Sequence, residues 1–199
     1  MHPIPMPSSK TAYHHGDLRA ACVRAGVELL EESGQTALSL RAVARRVGVS
    51  PAAPYRHYAD REALVAAVAA VGYRELAARL AAAHPSPSTP EEMISVAIAY
   101  VQFALERPAL FRIMFGEPCD RDNDERVAAT AAVSLYLREI VERSFPQADA
   151  EALATAIWAL VHGLAFLHLD GKLDAAGPSV VADRVSSAIQ ALLTSTSRR

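Results

Sequence analysis

Apolar residues recur along the chain at helical spacing, and alternation of the kind that builds strands is missing. Leu18, Cys22, Ala25, Leu29 and Leu30 mark one face of a first helix that opens at Gly16 or Asp17 and ends at Ser33-Gly34. Ser39 caps a second, short helix carrying Leu40, Val43, Ala44 and Val47, and Gly48 stops it. After a gap of three residues, Ser50 is placed to cap a third helix with Pro51 at its first position. Asp60 then caps a long fourth helix from Arg61 to about Ala83, in which Gly72 is the weak point.

The stretch from His84 to Pro90, HPSPSTP, is the clearest break in the pattern. Beyond it, Thr89 with Glu92 forms a capping box with Pro90 at the first helical position, and the helix runs to about Glu106. A short apolar helix follows Pro108, then a polar connection, EPCDRDND. Helices over about 125–145, 148–169 and 179–193 complete the chain, the last two joined by the loop DGKLDAAGP. The fold class is therefore all-α. The expected organisation is a disordered tail at 1–13, rich in Pro and Ser, a unit of short helices at 14–60, a connecting helix at 61–84, and a larger C-terminal helical unit at 85–199.

Composition agrees with this reading. Hydrophobic residues make up 51% of 199 positions, enough for a proper core, and alanine dominates them. No apolar run long enough to span a bilayer is free of charges and breakers, and the N-terminus lacks a signal-peptide core. The two cysteines, Cys22 and Cys119, fit no metal or redox spacing, which suits a reduced, cytoplasmic chain. His14-His15 and His162 with His168 lack a second set of ligands, so neither metal nor cofactor is expected. No HExxH, nucleophile elbow or phosphate loop is present, and an enzyme is not expected.

Charge sharpens the picture. The net charge of −2 argues against a nucleic-acid partner until its distribution is seen. Through His84 there are ten Lys and Arg against seven acids, and beyond it ten against fifteen. From Ser33 to Ala59 the chain carries Arg41, Arg45, Arg46 and Arg56 and no acid. A local cationic face matters more to DNA than the overall sum.

That face coincides with two capped helices meeting at a glycine turn, Val47-Gly48-Val49, the pattern of a helix-turn-helix. A major groove about 12 Å wide admits one helix, and the other must brace it. Ala52 and Ala53 are small enough to bring backbone near base edges and thymine methyls. Tyr55 and His57 can hydrogen-bond phosphate oxygens, and Arg61 can pair with phosphate.

The run AVARRVGVSPAAPYRHYADREALVAAVA resembles the DNA-binding domain of the TetR family, through Ala44, Gly48, Val49, Ser50, Tyr55, His57, Tyr58 and Arg61, with Gly34 and Leu64 outside it. The resemblance covers about residues 15–70. It implies phosphate contacts from Ser39, Tyr55, His57 and Arg61. It implies base contacts from Arg41, Pro51, Ala52 and Ala53, and core packing for Tyr58. Ser50 and Arg56 complete the expected DNA-facing set. Pro54 departs from the family, which has an apolar residue such as Leu there, and points to an altered recognition helix. Polar side chains for base readout are few, so Arg41 is expected to carry most of the direct hydrogen bonding, with DNA shape supplying the rest.

The segment AIWALVHGLAFLHLDGKL resembles the regulatory domain of a TetR subgroup named for a Trp-His-Gly motif. Here Val161-His162-Gly163 occupies that place and Trp158 lies three residues earlier. Trp158, His162, Phe166 and Leu169 share one helix face. With Tyr100, Phe103, Phe111, Met114 and Phe115 they are candidates to line a pocket for a small apolar or aromatic effector. The same spacing also serves a packed core or a subunit interface. The resemblance further implies a homodimer through residues 149–169 and 179–195, acting as a repressor on palindromic double-stranded operator DNA. A helical enzyme with an accidental helix-turn-helix and a nonspecific nucleoid protein are the competing classes.

Overall fold

The computed structural model describes residues 17–116 and 124–196. The tail at 1–13, His14-His15 and Cys119 lie outside these residues, as does most of the polar connection after Gly116. Eight α-helices appear among them: α1 (Leu18–Ser33), α2 (Leu40–Val47), α3 (Arg61–Ala83), α4 (Pro90–Glu106), α5 (Pro108–Gly116), α6 (Asp124–Ser144), α7 (Ala150–Leu169) and α8 (Pro178–Thr196). No strand occurs among the described residues.

The helix ends follow from local chemistry. Asp17, Ser39, Asp60 and Asp149 each accept a backbone N–H three residues on, at 3.2, 3.2, 2.8 and 3.0 Å. Thr89 and Glu92 form the reciprocal capping box. Gly48 closes α2 in the left-handed region, φ +78°, where a side chain would be strained. Its N–H donates to the Ala44 carbonyl at 3.0 Å, and so does that of Val49.

One expected helix is absent. Between Ser50 and Tyr58 the chain makes tight 3₁₀-type turns, with a short 3₁₀ helix over Pro54–Arg56. Proline supplies the reason. An α-helix would have the Ser50 carbonyl accept from the N–H of residue 54, which Pro54 lacks. Ser50 accepts from Ala53 instead, at 3.0 Å, and His57 donates to the Pro54 carbonyl at 2.9 Å.

Packing runs through a single buried core. Leu30, Leu38 and Leu64 unite α1, α3 and the turn before α2. Further along, α3 packs on α4, α5 and α6, while α4 packs on α7 and α8. Fully buried Tyr100, Phe111, Ile140 and Ile189 anchor this larger half, each contributing roughly 1.5–3 kcal/mol by leaving water. Gly72, the weak point of α3, has a packing reason. A Cβ there would lie 2.5 Å from Met114 Sδ, so the glycine lets α5 approach α3 closely. The Tyr73 hydroxyl then donates to the Met114 carbonyl at 2.8 Å.

Helix α7 is long and apolar enough to span a membrane by length and composition, with Gly163 its only breaker. In the fold it packs against α4, α6 and α8.

Candidate nucleic-acid interface and sensor core

Three helices hold the cationic segment in place. Tyr58 is buried, and its hydroxyl donates to the Arg19 carbonyl at 3.0 Å, pinning the end of the recognition turns to α1. Arg46 reaches across to α1 and bonds Glu28 at 3.1 Å and both oxygens of Glu32. The hydrogen bond from Arg46 holds the Glu32 carboxyl below the usual carboxylate range, and the same contacts raise the Arg46 guanidinium. Arg46 thus braces α2 and does not face outward as a free cation.

Arg61 also turns inward. Its Nε donates to the Leu38 carbonyl at 2.9 Å, and a terminal nitrogen donates to the Gln35 carbonyl at 3.1 Å. The expectation that it serves phosphate meets a side chain already engaged by the turn before α2, where carbonyls left open need a donor. Ser39 is half-buried, and its hydroxyl oxygen accepts from Ala42 N–H as the N-cap of α2, which leaves its own proton to donate.

The remaining members of the expected set do lie at the surface. Arg41, Ser50, Pro51, Ala52, Tyr55, Arg56 and His57 are exposed, and Ala53 is half-buried. Tyr55 is 51% exposed. Arg41, Arg45 and Arg56 have no ion-pair partner among the described residues. Arg45 belongs with them although only its place in the cationic run pointed to it. The turn therefore presents cations, a phenol and an imidazole on a rigid three-helix frame. That arrangement suits a phosphate backbone.

In the C-terminal half the expected ligand set divides. Phe111, Phe115, His162 and Phe166 pack ring against ring, with centroids 4.7 Å apart for Phe115–His162 and 4.9 Å for His162–Phe166. Tyr100 joins them: its hydroxyl is 3.0 Å from His162 Nδ1 and accepts from Trp158 Nε1 at 3.3 Å. Burial pushes the Tyr100 phenol up and the His162 imidazole down, so His162 is held neutral. Phe103 and Met114 are buried core.

The enclosed cavity lies on another side of Tyr100. It measures about 20 Å³ between α3, α4, α6 and α7, and its wall includes Leu80, Met93, Leu137, Ile140, Ile157 and Val161. Of the expected residues only Tyr100 lines it. The others were singled out for aromatic character, whereas the cavity is aliphatic. The signal available in the sequence was the i, i+3, i+4 spacing of Leu137, Ile140 and Val141, and of Ala154, Ile157 and Val161 at i, i+3, i+7.

A braced helix-turn-helix with an outward cationic turn defines a DNA-binding regulator. Residues 23–68 match the profile of bacterial regulatory proteins of the tetR family, and residues 93–192 match the tetracyclin repressor-like C-terminal domain. A solved structure of a protein of unknown function from Rhodococcus sp. RHA1 is 34% identical, spans 90% of this chain and 97% of its own, and superposes with a TM-score of 0.77. A tetR-family regulatory protein from Rhodococcus RHA1 shares the fold at 23% identity, with 87% and 96% coverage and a TM-score of 0.66. YobS of Bacillus subtilis, described as an uncharacterized HTH-type transcriptional regulator, is 25% identical over 146 residues, 73% of this chain and 75% of its own. The chain belongs to the TetR family. It is a DNA-binding transcriptional regulator and not an enzyme.

Proposed function

We propose that this regulator is a ligand-responsive cytoplasmic repressor that binds palindromic operator DNA as a homodimer and is released by a small apolar or aromatic effector. The exposed face made by Arg41 and Arg45 of α2 with Tyr55, Arg56 and His57 of the following turns is the observation that carries the DNA-binding part. Arg41 is assigned to base edges, Tyr55, Arg56 and His57 to phosphate, and Pro51, Ala52 and Ala53 to close backbone approach. The domain limits follow: 14–60 binds DNA, 61–84 connects, and 85–199 senses and dimerises.

The apolar surface of α7 supports the dimer. Only 39% of its most apolar 18-residue stretch is buried within one chain. Ala152, Ala156, Ala159, Leu160, Gly163 and Leu167 form one incompletely covered stripe, and a Cβ on Gly163 would meet nothing within 4 Å. A second copy of α7 and α8 laid on this stripe would bury it. Pairing also lets two short recognition turns combine their binding energies on two half-sites.

The switch needs an effector that binds one arrangement of the dimer better than the DNA-bound one. Coupling of about 1–3 kcal/mol between the two sites is ordinary. A gel shift on a selected operator with titrated effector is the test. Release at saturating effector supports the proposal, and unchanged operator affinity for every molecule that binds the protein refutes the switch.

A further inference from the structure

We infer that the surface hollow between α6 and α7 and the enclosed cavity behind it are the mouth and chamber of one site, built for an amphipathic molecule with an alkyl body and an uncharged polar head. This rests on the reading of the C-terminal half as a sensor.

The two spaces share a wall. The hollow measures about 170 Å³ and is lined by Ser134, Leu137, Arg138, Glu151, Ala154, Thr155 and Trp158. The chamber behind it is about 20 Å³. Leu137 and Ala154 belong to both linings, so one leucine side chain and one methyl group separate them. A rotamer change at Leu137 is a small motion.

The linings differ in kind, and that sets the ligand class. The chamber wall is aliphatic apart from the Tyr100 ring, whose hydroxyl is already satisfied by Trp158 and His162. It offers a buried polar group nothing to bond, so an alkyl body fits and a polar one does not. The mouth offers a cation from α6, Arg138, and a carboxylate from α7, Glu151. Ser134 adds a hydroxyl, while the Thr155 hydroxyl is turned to the Glu151 carbonyl at 2.8 Å. Arg138 also pairs with Glu142 at 3.2 Å. A charged head gains one opposite charge there and meets one like charge, whereas an alcohol or amide can bond to both without repulsion.

The chamber as it stands is about one water molecule in size, and a ligand of several carbons must push α6 outward. That motion has a route to the DNA-binding half. The Tyr136 hydroxyl of α6 donates to the His84 carbonyl at 2.9 Å, and Arg143 donates to the Pro87 carbonyl at 3.2 Å. Both acceptors lie at or just beyond the C-terminal end of α3, and Leu80 on α3 is itself part of the chamber wall. Displacing α6 pulls on the helix that carries the recognition turns.

The chain contains a single tryptophan, Trp158, and it stands in the wall of the mouth. The test titrates the full-length protein with 1-octanol, octanoate and octylamine while following Trp158 emission, melting temperature and operator affinity. Octanol should bind saturably and more tightly than either charged analogue. Ala154→Phe should weaken octanol binding by about tenfold, because overpacking closes the wall. Leu137→Ala, which joins the two spaces, should bind octanol several-fold tighter. A cooperative melt for each variant shows that it is folded. Equal octanol binding in all three proteins, or no saturable binding by the wild type, overturns the inference. An effector of any other kind that still releases operator DNA would then leave the sensor reading standing. Binding as expected with operator affinity unmoved confirms the site and refutes the sensor reading.

Discussion

Tyr100 on α4 and His162 on α7 are joined by a hydrogen bond of 3.0 Å, and the same phenol oxygen accepts from Trp158 at 3.3 Å. Trp158 can only donate, so the phenol oxygen accepts from it, and the Tyr100–His162 bond runs in the direction set by the imidazole tautomer. Tyr100→Phe leaves Trp158 Nε1 and His162 Nδ1 without these partners in a part-buried site. A loss of about 1–3 kcal/mol is expected, read by urea denaturation, together with a shift in Trp158 emission. An unchanged midpoint and unchanged emission would show that the bonds are absent in solution.

The same site makes stability depend on pH. Burial depresses His162, and burial with help from Arg184 depresses His168 against the opposing pull of Asp174 and of the Leu173 and Asp174 backbone carbonyls. Folding therefore favours the neutral imidazoles, while the unfolded chain takes up protons near the ordinary value of about 6.5. Stability is complete above that value. It falls as pH drops through it, and levels off only below the depressed folded values. His168 adds weight because it is 4% exposed. Denaturation midpoints of a His162→Gln, His168→Gln double variant should lose most of the slope between about pH 7 and 5.

Gly72→Ala places a methyl 2.5 Å from Met114 Sδ, 2.8 Å from its Cγ and 3.0 Å from Leu110 Cγ. A destabilisation of about 1–3 kcal/mol is expected from overpacking. Adding Met114→Ala should recover part of it, although that change opens a cavity of its own. Thermal melts of the two single variants and the double variant measure this coupling, and strict additivity would show that Gly72 does not serve this contact.

The arginines of the interface separate by role. Arg41→Ala is expected to cost about 1–3 kcal/mol and relax preference at one base position. Arg45→Ala and Arg56→Ala should weaken binding to all sequences alike and each lower the salt slope by about one. Arg46→Ala should lower the melting temperature as well, since Arg46 ties α2 to Glu28 and Glu32. Fluorescence anisotropy at several salt concentrations, with a thermal melt of each variant, distinguishes the three outcomes.

Helix ends were the most legible feature of the sequence. Ser39, Asp60 and Thr89 all cap where a short polar side chain precedes an apolar period, whereas α7, expected from about 148, is capped by Asp149. The helix-turn-helix was legible through Gly48, whose left-handed backbone the turn requires. The recognition segment was legible in place but not in form, because the effect of Pro54 depends on whether the Ser50 carbonyl finds another donor. Arg61 and Arg46 could not be read as braces, since their partners lie 23 to 26 and 14 to 18 residues away. Of the aromatic residues of α4, α5 and α7, Tyr100, Phe111, Phe115 and Phe166 meet around His162. Which of them border empty space depends on how four helices meet, and periodicity along one helix does not contain that.

Pro54 offers a direct check on the recognition turn. Pro54→Leu restores an N–H opposite the Ser50 carbonyl and should convert the 3₁₀ turns to an α-helical turn, seen as new i to i+4 amide protection by hydrogen exchange. Half-site preference should change with it. If neither changes, the proline does not shape the turn.

Selection of bound fragments from random double-stranded DNA by the purified protein addresses the paired-turn account most directly. Two recognition turns related by a two-fold axis should enrich an inverted repeat, with half-site centres about 34–36 Å apart or a multiple of that spacing. Enrichment of a lone half-site, or of no sequence at all in physiological salt, would contradict it.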